Sequence, residues 1–375
     1  MKKRKKPFGQ YIVTTVLLIT GMICGNIIVR YSGIFDTEAE SKLTAILIGL
    51  VSIYGATYLH TILHEGGHLL FGLLTGYGFS SFRIGSLMII KKEGKLRFSK
   101  LKIAGTGGQC LMTPPGEMGG RFPCILYNMG GVIVNIVLSA VFFILYAIFP
   151  NSGSLSGFLL TCAIVGVSTS LVNGIPLRLT SVDNDGRNAL SLVNNDKARR
   201  AFAIQLKVSE RLAAGERLGD MPEEWFEIPA EEDMKNNLIA TMAVFAANRF
   251  MDTHDFARAK QLIERLLNGD NAVLGLHLNL LRSDLIYLEC IGEKDETTLN
   301  SLMDKRFEKF MKASKTNISI LRTRYAFELL VKNHLAAAAE IKERFEKAAG
   351  VYPYKGDVMG ERELVGVVEG LFGEI

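Results

Sequence analysis

"HTILHEGGHLLFG", residues 60–72, sets three histidines and a glutamate in a run otherwise apolar enough for lipid. Ionisable side chains at bilayer depth are expensive, so they mark a working site. On a helix, four residues rise about 6 Å and turn a little past one full circle. His64 and His68 therefore share a face and can reach one metal ion, with Glu65 beside them as the base for a metal-bound water; this is the HExxH zinc pattern. His60 and His68 stand about 12 Å apart along the axis, too far for one ion whose bonds to nitrogen are about 2 Å. His60 is then a residue of the cleft, a support behind the metal ligands, or a histidine that packs between helices.

The surrounding composition decides the fold class. The chain has 375 residues, 48% of them hydrophobic, with a net charge of +5 and nine prolines. Apolar residues crowd positions 11–180 and thin afterwards, which predicts a membrane part followed by a soluble part. Four stretches offer the roughly 20 apolar residues that a crossing needs: 11–29, 43–74, 125–149 and 155–177. The first follows "MKKRKK" and lacks an A-x-A cleavage site, so a retained signal anchor is expected rather than a removed signal peptide. The charge is modest and sits in short loops, where it bears on topology and argues against nucleic acid as a partner. Five cysteines without CxxC spacing read as small buried hydrophobes, not as disulfides or a thiolate metal site.

Lysines and arginines orient the spans. The N-terminal cluster and the loop 76–122, with Lys91, Lys92, Lys95, Arg97, Lys100, Lys102 and Arg121, belong on the cytoplasmic side. The acidic segment "YSGIFDTEAESK" and the turn "NSGS" belong outside. Both termini are then cytoplasmic, and the lipid bilayer, in a cell (plasma) membrane, is the first partner. Within the loop, "FRIGSLMIIKKEGKLRFSKLKIAGTGG" alternates around "KKEGK" and predicts a small β-hairpin region. Such a hairpin either lends an edge strand to an extended peptide or simply covers the helices.

A third metal ligand must come from elsewhere. The fourth span ends in "LVNGIPLRLTSVDNDGRNA", which supplies Asn173, Pro176, Asp183, Asp185 and Gly186 at the same membrane depth as His64. Asp183 and Asp185 are both carboxylates in the right place. With "HEGGH", "NGIP" and "DNDG" together, the chain resembles the site-2 protease family of intramembrane zinc metalloproteases over roughly residues 43–190. "GGVIVN" at 130–135 is similar to the family's G-P-x-x-N element, with Val132 in place of the proline. The resemblance implies His64, His68 and Asp185 as ligands of Zn2+ and Glu65 as the catalytic base. Asn135 and Asn173, polar residues within spans, either orient a substrate backbone or the metal region or simply bond across helices. Gly186 also favours Asp185, since its missing side chain lets the backbone turn the carboxylate inward. Asp183 better suits a loop or the cap of the next helix. The interval from Pro176 to Asp185 is longer than usual for the family, and no PDZ-like insert is present.

From position 196 onward, charges interleave with helical apolar periodicity. "NNLIATMAVFAANRFMDTHDFARAKQLIERLLNGD" reads as two antiparallel helices and resembles one tetratricopeptide unit; two weaker pairings follow at 280–307 and 323–345. The alternative is an irregular helical domain packed on the membrane part. His254, His277 and His334 are isolated and carry no expected metal role. The expected class is thus mainly α: a signal-anchor span and outer loop (1–42), an intramembrane metalloprotease core in a multi-span helical bundle (43–190), and a soluble all-α domain (191–375). The expected function is zinc-dependent cleavage of a membrane protein substrate near the cytoplasmic leaflet. The competing function is a non-catalytic membrane scaffold or receptor that engages a protein partner through the helical repeats.

Overall fold

The computed structural model describes residues 7–32, 39–92, 94–103, 106–116 and 123–373. The basic cluster at 1–6, half of the acidic outer segment (33–38) and Arg121 lie outside them. The chain begins with helices α1 (Phe8–Ser32) and α2 (Ala39–Leu74), and after a small sheet continues with α3 (Cys124–Ile148) and α4 (Ser154–Gly174). Each contains a stretch long and apolar enough to cross a membrane: Phe8–Tyr31, Ile46–Leu74, Cys124–Ile148 and Ser154–Gly174. Leu17, Leu18, Val51, Tyr54, Phe143 and Ile144 are exposed along their outer faces, which suits an apolar solvent and not water. The α4 helix packs against the other three and is the most enclosed of them.

The fourth helix stops at Gly174, short of the expected end at 177. Pro176 has no N–H and crowds the residue before it, so Ile175 is extended (φ −70°, ψ 126°) and the helix closes. The loop that follows folds back on α1. Thr180 Oγ1 lies 3.2 Å from Gln10 Oε1, and a side chain at Gly9 would stand 2.6 Å from the Arg178 carbonyl oxygen. The start of α1, the ends of α2 and α4, and the start of α3 thus share one side of the bundle.

The sheet on that side holds four strands, more than the single hairpin read from the sequence: β1 (Gly78–Ile84), β2 (Leu87–Lys92), β3 (Lys95–Lys100) and β4 (Gly108–Thr113). All neighbours are antiparallel and the order is β3-β2-β1-β4. Met88 and Ile90 face inward against Ala213 and Tyr352. The β3 edge is exposed and carries Lys95, Arg97 and Lys100, charges that discourage edge-to-edge pairing.

The remainder is helical: α5 (Asp185–Leu192), α6 (Asp196–Ala214), three short 3-10 turns, α7 (Asn237–Asp252), α8 (Phe256–Asn268), α9 (Gly275–Ile291), α10 (Glu296–Leu302), α11 (Lys305–Ala313), α12 (Ile318–Ala326), α13 (Leu335–Val351) and α14 (Lys355–Gly373). Asn and Asp side chains cap most of these starts, among them Asn184, Asn195, Asn236, Asp255 and Asn317. α7 packs on α8, α9 on α8 and α12, and α12 on α13. α14 lies against α6, α9 and α12 at once, and Tyr287 donates its O–H to the Leu364 carbonyl at 2.8 Å.

Position 191 is not a break in packing. One apolar core runs from Tyr77, Cys110, Met112 and Tyr127 into Phe202, Leu206, Trp225 and the α7–α9 layer. The Tyr127 and Phe202 rings are 6.1 Å apart, and the Leu276 N–H donates to the Ser181 carbonyl at 3.0 Å. All five cysteines are buried and free.

Candidate metal centre

α2 carries His64, Glu65 and His68 on one continuous helix, as their spacing requires. The helix packs on α3 where Gly67 meets Gly130 backbone to backbone; a side chain at either would overlap the other's carbonyl. At Gly131 a Cβ would stand 2.6 Å from the His64 ring, so this glycine leaves room for the imidazole. Small residues that let helix backbones approach are the usual packing device inside membranes.

Asp185 arrives from the segment after α4, in the first turn of α5. The residue that places it is Asn184, which sequence reasoning passed over. Its Oδ1 accepts from the N–H groups of Arg187 and Leu177, and its Nδ2 donates to the carbonyls of Val172 and Ile175, each at 2.6 Å. One side chain thus caps α5 and ties it to the end of α4. The role of helix cap that suited Asp183 belongs to Asn184; Asp183 is buried nearby, where burial pushes its carboxyl up. Gly186 permits the close approach of α5 to α4, since a side chain there would overlap the Gly174 carbonyl.

Three ligand atoms converge. His64 Nε2 is 3.2 Å from His68 Nε2 and 2.9 Å from Asp185 Oδ2, and His68 Nε2 is 3.6 Å from that same oxygen. A tetrahedral ion with bonds near 2.05 Å holds its ligands about 3.3 Å apart, so these three separations bracket what zinc needs. The Asp185 Oδ2 atom is shielded from solvent and faces both imidazole Nε2 atoms. Burial resists its ionisation, but the His68 and His64 rings prevail and hold the carboxyl below the usual carboxylate range. His64, His68 and Asp185 form the one group of metal-ligating side chains of this spacing among the described residues. Two histidines and one carboxylate leave a fourth position open, the pattern of a catalytic site rather than a structural one.

The outer nitrogens of both rings are occupied. His68 Nδ1–H donates to the Tyr127 carbonyl at 2.8 Å, which turns the Nε2 lone pair toward the centre. The Asn135 amide bridges His64 Nδ1 at 3.4 Å and His60 Nδ1 at 3.1 Å. Oxygen and nitrogen of an amide exchange places by a half-turn. A His64 that offers its Nε2 lone pair is served by the amide oxygen, leaving the NH2 group for His60. His60 is fully buried beside Phe142, at the back of this network and not among the ligands. Asn173 does not join it: its Nδ2 donates to the Thr169 carbonyl one turn earlier in α4.

Glu65 lies between the ligand cluster and the sheet. A Cβ at Gly108, the first residue of β4, would stand 2.5 Å from Glu65 Oε1. Arg83 fixes that stretch of chain from beneath, donating to the carbonyls of Gly85 (2.7 Å) and Gly108 (3.1 Å) and to Thr106 Oγ1 (2.6 Å). Sequence reasoning missed Arg83, although a buried arginine inside an alternating strand is the signal that marks it.

Comparison with protein-family models, with curated proteins and with solved structures finds no match to this chain.

Proposed function

We propose that the chain is an intramembrane zinc metalloendopeptidase of the site-2 protease kind. It cleaves a membrane-spanning or membrane-proximal protein near the cytoplasmic leaflet of the cell membrane. The observation that carries this reading is the convergence of His64, His68 and Asp185 beside Glu65, within a bundle of four helices apolar enough for lipid. Bound zinc would lower the pKa of its water and polarise the scissile carbonyl. Glu65 is the residue that would take up the proton at its carboxylate and hand it to the leaving amine nitrogen. Asn135 and the Tyr127 carbonyl hold the two imidazoles in the tautomer that serves the metal.

Substrate is proposed to enter as an extended strand. β4 ends the sheet on the side of Glu65, so a peptide added along it brings successive carbonyls past the base. In this reading the sheet, α5 and the C-terminal helices face the cytoplasm, and water reaches the site from that side. The C-terminal helices are proposed to be tetratricopeptide-like pairs, with α14 as their inner helix. A scaffold that works through those pairs alone is the competing reading; it leaves the ordered surroundings of His64 and His68 without a use.

Comparison of membrane proteomes from cells with the wild-type chain and with Glu65→Gln tests the proposal. The expected result is accumulation of a full-length membrane protein in the variant at unchanged level of the chain itself. Identical proteomes with full biological function would remove the enzyme reading.

A further inference from the structure

The C-terminal helices enclose a second polar site, unconnected with the metal centre. A partly open cavity of about 170 Å³ lies between α7, α9, α12 and α14. Its lining includes four carboxylates, Asp252, Asp284, Asp357 and Glu361, and one arginine, Arg322. Arg322 is 1% exposed. Its Nη2 donates to Asp284 Oδ1 at 2.6 Å, its Nε donates to Glu361 Oε2 at 3.0 Å, and its guanidinium stacks 4.3 Å above the Tyr287 ring. Its Nη1 is buried and has no hydrogen-bond partner among the described residues. A buried charged donor left unmet is destabilising, and a ligand oxygen would relieve that cost.

The carboxylates are unequal. Asp252 is satisfied by the Arg217 Nε–H and the Gly219 N–H. Asp284 and Glu361 share Arg322. Among the described residues no cation or hydrogen-bond donor reaches Asp357; the titratable groups around it are Glu361, one helical turn along α14, Asp252 across the cavity, and the phenols of Tyr352 and Tyr354. Burial and the two carboxylates push the Asp357 carboxyl up to about 7, and Glu361 is likewise pushed up to about 7. The cavity therefore lacks one cation beside Asp357 and one acceptor beside Arg322. No three of these carboxylates come together at metal-ligand spacing, so the lining does not offer a metal ion a ligand set.

We propose that this cavity binds a lysine side chain of a peptide, with the ammonium between Asp357 and Glu361 and a peptide carbonyl oxygen on Arg322 Nη1. The net negative lining excludes a carboxylate in the acceptor position and favours a neutral carbonyl. A volume of about 170 Å³ admits a single side chain and not a folded element.

Calorimetric titration of the full chain in detergent at pH 8 tests this, with Nα-acetyl-lysine amide as the probe. Saturable binding of one probe per chain is expected. Asp357→Asn should weaken it by about tenfold or more, the usual scale for removing one partner of a buried charge pair. The substitution removes a charge that has no partner, so the melting temperature should hold or rise, which separates lost binding from lost fold. 1,5-Diaminopentane, which has the ammonium but no carbonyl, should bind about tenfold more weakly, and Nα-acetylnorleucine amide should not bind. Absence of saturable binding, an unchanged affinity in Asp357→Asn, or equal binding of either comparison compound would overturn the proposal.

Discussion

Asp185 Oδ2 lies 2.9 Å from His64 Nε2, although one residue opens a short helix after the fourth span and the other sits deep in the second. The contact depends on two unrelated devices. Asn184 ties α5 to the end of α4, and glycines let α2 approach α3 and α5 approach α4 closely.

The glycines of the HEGGH segment are not equivalent. Gly67 meets the Gly130 backbone, whereas nothing lies within 4 Å of a side chain at Gly66. Gly67→Ala should lower stability by about 1–3 kcal/mol, the range for overpacking. Gly66→Ala should be neutral or stabilising by up to about 1 kcal/mol through helix propensity. Thermal unfolding of the two variants in detergent checks the contrast, and equal effects would mean that α2 and α3 cross elsewhere.

The outer hydrogen bond on His64 should tune metal affinity. Asn135→Leu removes the only side-chain partner of its Nδ1 among the described residues and should weaken zinc binding by about 10–100-fold. His60→Leu leaves the amide on His64 and should weaken it much less. Competition with a chromophoric chelator measures both. If the two variants lose affinity equally, His60 acts on the metal by some route other than Asn135.

How much of this was legible beforehand follows from how local each signal is. HExxH fixes its own geometry, because 3.6 residues per turn place His64 and His68 together whatever surrounds them. The four apolar stretches were readable for the same reason, and Pro176 marked the end of α4 more sharply than hydropathy did. The roles of Asn184 and Arg83 were not readable, since each depends on carbonyls supplied by other segments. β4 and the start of β1 fell outside the expected hairpin because each opens on glycine and polar residues, GFSS and GQ, where alternation is weak. α14 was unseen as an inner helix because its apolar positions look like those of any surface helix until α6, α9 and α12 surround it.

Stability of the C-terminal helices should fall as pH rises through neutrality. Asp357 and Glu361 titrate near 7 in the folded chain, against about 3.9 and 4.3 when unfolded. Between those values the folded state binds more protons, so the stability they contribute at low pH is lost as pH climbs toward and through 7. Asp357→Asn should flatten this dependence and raise the melting temperature at pH 8 by about 5 °C. Melting curves of wild type and variant from pH 5 to 8 decide it; a wild-type midpoint that rises with pH, or a variant with the same slope, would contradict the assignment.

Orientation is separable from chemistry. A cytoplasmic reporter fused after Ile375 should be active, and one placed within residues 33–40 should be active only outside. The lysine and arginine distribution and four apolar helices motivate both outcomes. An external C-terminus would show that one of the four helices does not cross.

The central claim is a zinc ion held by His64, His68 and Asp185, and its most direct test is metal stoichiometry of the purified chain by mass spectrometry. Wild type should carry one zinc per chain, and Glu65→Gln should retain it, because Glu65 is not a ligand. Asp183→Ala should keep most of it, whereas Asp185→Ala should lose it. A wild-type chain that takes up no zinc, or an Asp185→Ala chain that keeps a full equivalent, would contradict the account.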